Sequence, residues 1–372
     1  MPVGTRATVK GVSHAQLEGL APEVVLGNTY HLELRPTAAR IARLGGLHGF
    51  TGWRGPWLTD SGGYQVFSLG TRQKLTEEGV TFQSHLDGAA VTLTPERAMA
   101  IQEDLGADIV MAFDECVGLP ATTERLQEAV DRTTRWAQRC VHAHQREDQA
   151  LFGIIQGGLD PALRMRSIEG ITALDLPGYA IGGLAVGESP EELRQAVSFA
   201  APRLPEDRPR YLMGVGKPLD LLDAIAAGVD MFDCVLPTRN GRRGHLYTCD
   251  GVLRVGARMY EEDERPVDAS CACPVCRTHS RAYLRHLFST GEHLAVTLGS
   301  LHNLHFLIDL TRTARAKIRE GTFAAWRTAF TTRYAAGEAA WRAAHEADPT
   351  AARRSQEARA AQDARVDPPP GV

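Results

Sequence analysis

Residues 108–115 read DIVMAFDE, an unbroken apolar run entered and left through acidic side chains. A strand with one wet face alternates polar and apolar residues. A run without alternation fits a strand covered on both faces, as in a parallel sheet clothed by helices. Runs of the same kind recur on either side: MPVG at the start, EVVLGNT from Glu23, PWLTDSGG from Pro56, LFGIIQGG from Leu151, YAIGGLAVGE from Tyr179, RYLMGVG from Arg210 and VDMFDC from Val229, eight in all. Each closes on glycine or a polar residue, and the intervals mostly carry helix-like periodicity. TPERAMAIQEDLGA from Thr94 and SPEELRQAVSFAAPRL from Ser189 open on a hydroxyl cap with Pro at the first helical position. Eight strand-helix units are the count of a closed (β/α)8 TIM barrel in the α/β class. A doubly wound open sheet is the structural rival.

Two segments interrupt the alternation. GVTFQSHLDGAAVTL, from Gly79 to Leu93, alternates in short β-like runs about Asp87-Gly88 and predicts a β-hairpin inserted after the third strand. The other is a cysteine-rich stretch after the eighth strand. The expected division is therefore a barrel over 1–245, a zinc-binding subdomain with closing helices over 246–342, and a disordered tail over 343–372. From about Asp348 that tail is a mixture of Ala, Arg, Asp and Pro with little to bury.

The 372 residues, 43% hydrophobic and 23% charged, describe an ordinary globular protein and exclude disorder for most of the chain. A formal charge of −4 excludes a protein basic all over, so a nucleic-acid partner must be held by a local patch. No apolar run approaches the roughly 20 residues that span a bilayer, and MPVGTRATVK has no signal-peptide core, which points to the cytoplasm and no membrane partner. In such a reducing compartment, seven cysteines, of which Cys271, Cys273 and Cys276 crowd together, read as one metal site plus inert thiols.

In a barrel, the C-terminal strand ends converge on one face, where barrel enzymes carry their catalytic groups. Here they offer Asp60 with Ser61, Gly62, Gly63, Tyr64 and Gln65; Asp114 with Glu115; Gln156 with Gly157; Gly182, Gly183 and Leu184; Met213 with Gly214; and Asp233. Carboxylates and an amide can bind the edge of a planar polar heterocycle, glycines let backbone approach it, and Tyr64 and Met213 can sandwich its faces. A purine base fits. Singly, each residue has a plainer role, since Gly-Gly pairs are usually turns and a Met is usually core. Two acids on one face also permit glycosidic chemistry, with one attacking the anomeric carbon while the other manages protons. Asp233 is the expected nucleophile and Asp60 the acid/base, although residue types alone leave the opposite assignment open. Beyond Asp233, the segment LPTRNGRRG reads as an arginine-rich loop suited to a phosphate backbone. The plainer alternative is an Asp that caps a turn and pairs with an Arg.

Cys271-X-Cys273-X2-Cys276 with a later histidine supplies three thiolates and an imidazole, the donor set of a closed structural zinc site. Spacing does not choose among His279, His286, His293, His302 and His305. Arg281 and Arg285 nearby could extend a phosphate-binding surface, but a solvated helix face is the plainer account of both.

DSGGYQVFSLG, FDEC, FGIIQGG, GGLAVGE, YLMGVG, FDCVLPTRNGR, CACPVC and LHNL, in that order, resemble the bacterial tRNA-guanine transglycosylases from Met1 to about Ala335. The resemblance implies a (β/α)8 barrel with a zinc subdomain that exchanges the wobble guanine in tRNAs for Asp, Asn, His and Tyr for 7-aminomethyl-7-deazaguanine (preQ1), in queuosine synthesis. By motif, it implies Asp233 as the nucleophile of a covalent RNA ester and Asp60 as general acid/base. Asp114, Gln156, Gly183 and Leu184 would bind the base, and Tyr64 and Met213 would stack on it. Lys217, Arg239 and Arg242 would meet the RNA, and His302 in LHNL would be the fourth ligand of one Zn2+. Cys116 and Val186 match the bacterial pattern, whose pocket takes the small aminomethyl base. The resemblance further implies a homodimer in which one subunit does chemistry while the other orients the RNA. It also implies a further N-terminal strand segment, so the first strand here is expected to be truncated, most simply through a late start.

Three rivals remain. A non-catalytic RNA-binding subunit would lack one or both aspartates, and both are present. An archaeal relative acting elsewhere on tRNA would carry an additional RNA-binding region. A barrel glycosidase would line its cleft with aromatic platforms, whereas aromatics make up only 6% of this chain.

Overall fold

The computed structural model describes residues 1–64 and 73–346. Its strands are β1 (Val3–Gly4), β2 (Val25–Gly27), β3 (Trp57–Thr59), β4 (Gln73–Leu75), β5 (Val80–Gln83), β6 (Ala90–Leu93), β7 (Ile109–Met111), β8 (Ala150–Ile155), β9 (Gly178–Ile181), β10 (Arg210–Leu212), β11 (Met231–Phe232), β12 (His245–Thr248) and β13 (Gly251–Arg254). Eight of them form one sheet in the order β1-β2-β3-β7-β8-β9-β10-β11, with parallel pairing between neighbours. Each falls on one of the eight apolar runs. At the sheet's two edges, the Met1 amine donates to Phe232 O at 2.7 Å, so the first and last strands of the (β/α)8 sheet meet.

Leu26, Leu58, Met111, Phe152, Ile154, Ala180 and Tyr211 form one buried cluster drawn from β2, β3, β7, β8, β9 and β10. This shared core explains why the runs do not alternate: neighbours on both faces exclude water. Helices start at Thr94 and Ser189, as the sequence predicts. Thr94, Thr122, Asp160 and Ser189 are N-caps whose side chains accept backbone N–H bonds, and Ser189 with Glu192 completes a capping box.

The insert is larger than the expected hairpin. β5 and β6 pair antiparallel, and β4 adds a third strand. Its tie to the barrel is tertiary: Trp136 Nε1 and Arg139 Nη1, on the helix Thr123–Ala143, donate to Glu77 O at 2.8 and 2.9 Å.

The chain divides into two compact units. The first comprises Met1–Lys10, Pro22–Gly216 and Asp223–Cys234; the second comprises Gly11–Ala21, Lys217–Leu222 and the chain from Val235. The division thus falls earlier than residue 245. In the second unit the helix Leu236–Arg242 packs on the helix His293–Arg319 so closely that a Cβ on Gly241 would lie 2.5 Å from Gly299 O. The helix Phe323–Glu346 runs past residue 343, into the stretch expected to be a disordered tail, and the rest of that stretch lies outside the described residues. Among the described residues, no helix is long and apolar enough to cross a membrane.

Candidate active site

In the first unit, Asp60 follows β3 and Asp233 follows β11, both at the C-terminal ends of parallel strands and therefore on the same face of the sheet. The Asp60 carboxylate is held by the turn after β2. Asn28 Nδ2 donates to Oδ2, and the Thr29 and Gly62 N–H groups donate to Oδ1 at 2.9 and 3.2 Å. Asn28 also caps the helix Thr29–Leu34, so one residue fixes both the helix start and the acid. For Asp233, the hydrogen bonds gather on Oδ1: the Tyr211 hydroxyl donates at 2.6 Å and the Gly214 N–H at 2.8 Å. Tyr211 is fully buried, and burial first, then Asp233, then Asp60 push its phenol well above its usual range. One hydroxyl therefore feels both carboxylates.

Asp114 follows β7 and is 6% exposed. Gln156 Nε2 donates to its Oδ2 at 2.6 Å and Ser61 Oγ to its Oδ1 at 3.2 Å. Burial nevertheless pushes its carboxyl up to about 6. Gln156 packs on the turn after β9, where a Cβ on Gly183 would lie 2.3 Å from Gln156 Oε1, and the φ of +64° there favours glycine. Leu184 is 5% exposed beside it. Met213 is half-buried after β10, and Tyr64 is 49% exposed. Residues 65–72, including Gln65, lie outside the described residues.

Several groups have no role that the sequence alone could assign. Asn28, Thr29 and Glu188 sit at the ends of the apolar runs, and that position is their only signal. Glu188 accepts from the Ala185 N–H and, at 3.0 Å, from the Val186 N–H. Burial pushes the neighbouring Cys116 thiol up to about 12. Tyr211 and Arg164 lie inside a strand and a helix, where pattern marks them as core.

In the second unit, the expected arginine-rich loop is instead the helix Leu236–Arg242, begun by Pro237 in its first turn. Arg239 is exposed, but Arg242 is only 7% exposed. Lys217 is exposed just before the helix Pro218–Ala226. Asn303 of LHNL clamps this region: its Nδ2 donates to Pro237 O at 3.0 Å and His245 O at 2.8 Å, and its Oδ1 accepts from the Tyr247 N–H at 2.9 Å. Arg281 and Arg285 are spent internally, on Pro266 O, Val267 O, Asp263, Ala257 O and Glu261. A phosphate-binding role for those two is not supported.

The ligand atoms of Cys271, Cys273, Cys276 and His302 all lie within 4.8 Å of one another, a group that could hold a metal ion. His302 is fully buried, and its Nε2 lies 2.7 Å from Tyr247 O. A proton on Nε2 shared with that carbonyl leaves Nδ1 for the metal, 3.4 and 3.5 Å from the sulfurs of Cys276 and Cys273. Of the other histidines, His305 comes nearest, 3.7 Å from Cys271 Sγ, but stands outside the group.

Carboxylates converging at the C-terminal ends of a (β/α)8 sheet, with a Cys3His centre in the second unit, define a class of barrel enzymes carrying a metal-stabilised appendage. A family model described as queuine tRNA-ribosyltransferase matches residues 1–336, and the chain belongs to that family. A queuine tRNA-ribosyltransferase of Thermus thermophilus is 55% identical over 323 residues, covering 87% of this chain and 84% of the relative. Proteins of the same name from Thioalkalivibrio sulfidiphilus and Halothermothrix orenii are 52% and 50% identical, covering 88% and 90% of this chain and the same shares of each relative. The chain is accordingly an enzyme of the pentosyltransferase class.

Proposed function

We propose that this enzyme exchanges the wobble guanine of tRNAs with GUN anticodons, those for Asp, Asn, His and Tyr, for preQ1 by double displacement. A carboxylate oxygen of Asp233 bonds to C1′ of the ribose as the C1′–N9 bond breaks, and Asp60 protonates the departing base at N9. Asp60 then takes the N9 proton of the incoming base, which bonds to C1′ and releases Asp233. The covalent ester keeps the ribose in place while one base leaves and another enters.

The observation that carries this reading is the arrangement on Asp233: among the described residues, two donors hold Oδ1 and none holds Oδ2, with Asp60 near enough to act on the same buried phenol. Asp114 and Gln156 then read the base edge, Gly183 and Leu184 supply backbone, and Tyr64 and Met213 stack. A base must leave the anticodon stack to be read in this way. Lys217 and Arg239 meet phosphates from exposed positions, while Arg242, largely buried, has less to offer. Three thiolates and an imidazole with its ring fixed by Tyr247 O fit one Zn2+ in a structural role, since four protein ligands leave no open position. Family likeness adds a homodimer working in the cytoplasm.

The test is to incubate the protein with labelled guanine and unmodified GUN-anticodon tRNA. Incorporation and a denaturation-resistant protein–tRNA adduct are expected, with the adduct absent in Asp233→Asn. Incorporation that survives Asp233→Ala overturns the nucleophile assignment.

A further inference from the structure

Arg164 lies on the helix Pro161–Thr172 and is 1% exposed. Among the described residues it forms no ion pair; its donors go instead to main-chain oxygens. Nε donates to Gly158 O at 2.8 Å, Nη1 to Gly182 O at 2.9 Å and Nη2 to Gly183 O at 3.4 Å. A buried cation facing only carbonyls is costly to keep, and a neutral side chain would fill the space at less cost.

What the cation does follows from peptide geometry. In a trans peptide the N–H points opposite to the C=O. With the carbonyls of Gly182 and Gly183 turned down onto Arg164, the N–H groups of Gly183 and Leu184 are turned away from it. The Gly183 backbone does reach the Cys116 thiol, two residues beyond Asp114, and Gln156, bonded to Asp114, packs on Gly183. The two N–H groups therefore face the side on which Asp114 lies, that of Gly183 toward the Cys116 thiol. Two successive N–H groups aimed at one point make a site for a carbonyl oxygen, as in an oxyanion hole.

We propose that Arg164 is a positioning residue that aims the Gly183 and Leu184 N–H groups at the exocyclic oxygen of the bound base; this rests on the base-exchange reading above. A group acting in this way affects acceptance of that oxygen and nothing else on the base.

The test compares direct binding of guanine and of 6-thioguanine, which keeps the same edge donors and replaces only the oxygen with a larger, weaker acceptor. The wild type is expected to prefer guanine. In Arg164→Met that preference falls about tenfold, about 1.4 kcal/mol of discrimination, through loss of guanine affinity, while KM for tRNA stays unchanged. Arg164→Lys, which keeps the cation but has no planar fork, gives an intermediate ratio. Equal weakening of both bases means a merely structural role and overturns the inference, as does recovery of both variants only in unfolded form. A wild type that binds guanine without exchanging it sinks the base-exchange reading, while the binding ratio still decides the role of Arg164.

Discussion

Asp114 shows how one buried carboxyl links stability to activity. Its folded pKa, raised by burial from 3.8 to about 6, exceeds the unfolded value, so the folded state holds the proton more tightly. The stability this contributes is complete below the unfolded pKa and is lost as pH rises through the folded one. Relative to Asp114→Asn, the wild type should lose about 3 kcal/mol between about pH 4 and pH 7, at 1.36 kcal/mol per pH unit of difference, as read by urea titration. On the proposed reading of Asp114, base binding runs the other way. Below about pH 6 the protonated carboxyl is a poorer acceptor, so KM for guanine should climb as pH falls, a dependence absent from Asp114→Asn. Tyr211 gives a second residue-scale expectation. Tyr211→Phe removes one of two donors on Asp233 Oδ1, a charge-assisted bond of about 1.5–3 kcal/mol, and should lower kcat roughly tenfold or more with KM for guanine unchanged in steady-state assays. Strand-end position alone exposed Asp60, Asp114 and Asp233 to sequence reading. Tyr211 was invisible to it, because a tyrosine inside an apolar strand looks like any other core residue.

At the level of elements, the turn after β7 is fastened to the helix Thr123–Ala143 by Glu115, whose fully buried carboxylate pairs with Arg125 and Arg132. Its loss removes two charge-assisted hydrogen bonds but leaves arginines whose side chains are 37% and 17% exposed, so Glu115→Leu should cost about 1.5–3 kcal/mol in chemical denaturation. In the second unit the Gly241–Gly299 contact leaves no room for a methyl: a Cβ on Gly299 would lie 2.2 Å from Gly241 O. Gly299→Ala should therefore destabilise by about 1–3 kcal/mol, as the helices must separate. Neither constraint can be read locally. The same limit explains the arginine segment: glycines and polar residues suggested a loop, but Pro237 and the clamp from Asn303 make it helical and turn Arg242 inward. In the insert, the Asp87-Gly88 turn announced β5 and β6, whereas β4 is too short and too polar to stand out from sequence.

For the whole molecule, the Cys3His centre should hold about one zinc per chain by elemental analysis. Cys273→Ser should lose that zinc, and chelation should lower Tm, because a structural zinc contributes on the order of 10 kcal/mol of folding free energy. By itself the sequence determined the eight strands, the helix starts at Thr94 and Ser189, the three thiolates and the acids at the strand ends, since all of these are written in short-range chemistry: apolar runs, caps, and residue types with few other uses. Only the tertiary structure decided which donors hold each acid, that Arg242 is turned inward, and that Arg164 lies beneath the Gly182–Gly183 turn. Those outcomes depend on residues far apart in the chain meeting at hydrogen-bonding distance, and residue order carries no distance until the sheet has curled.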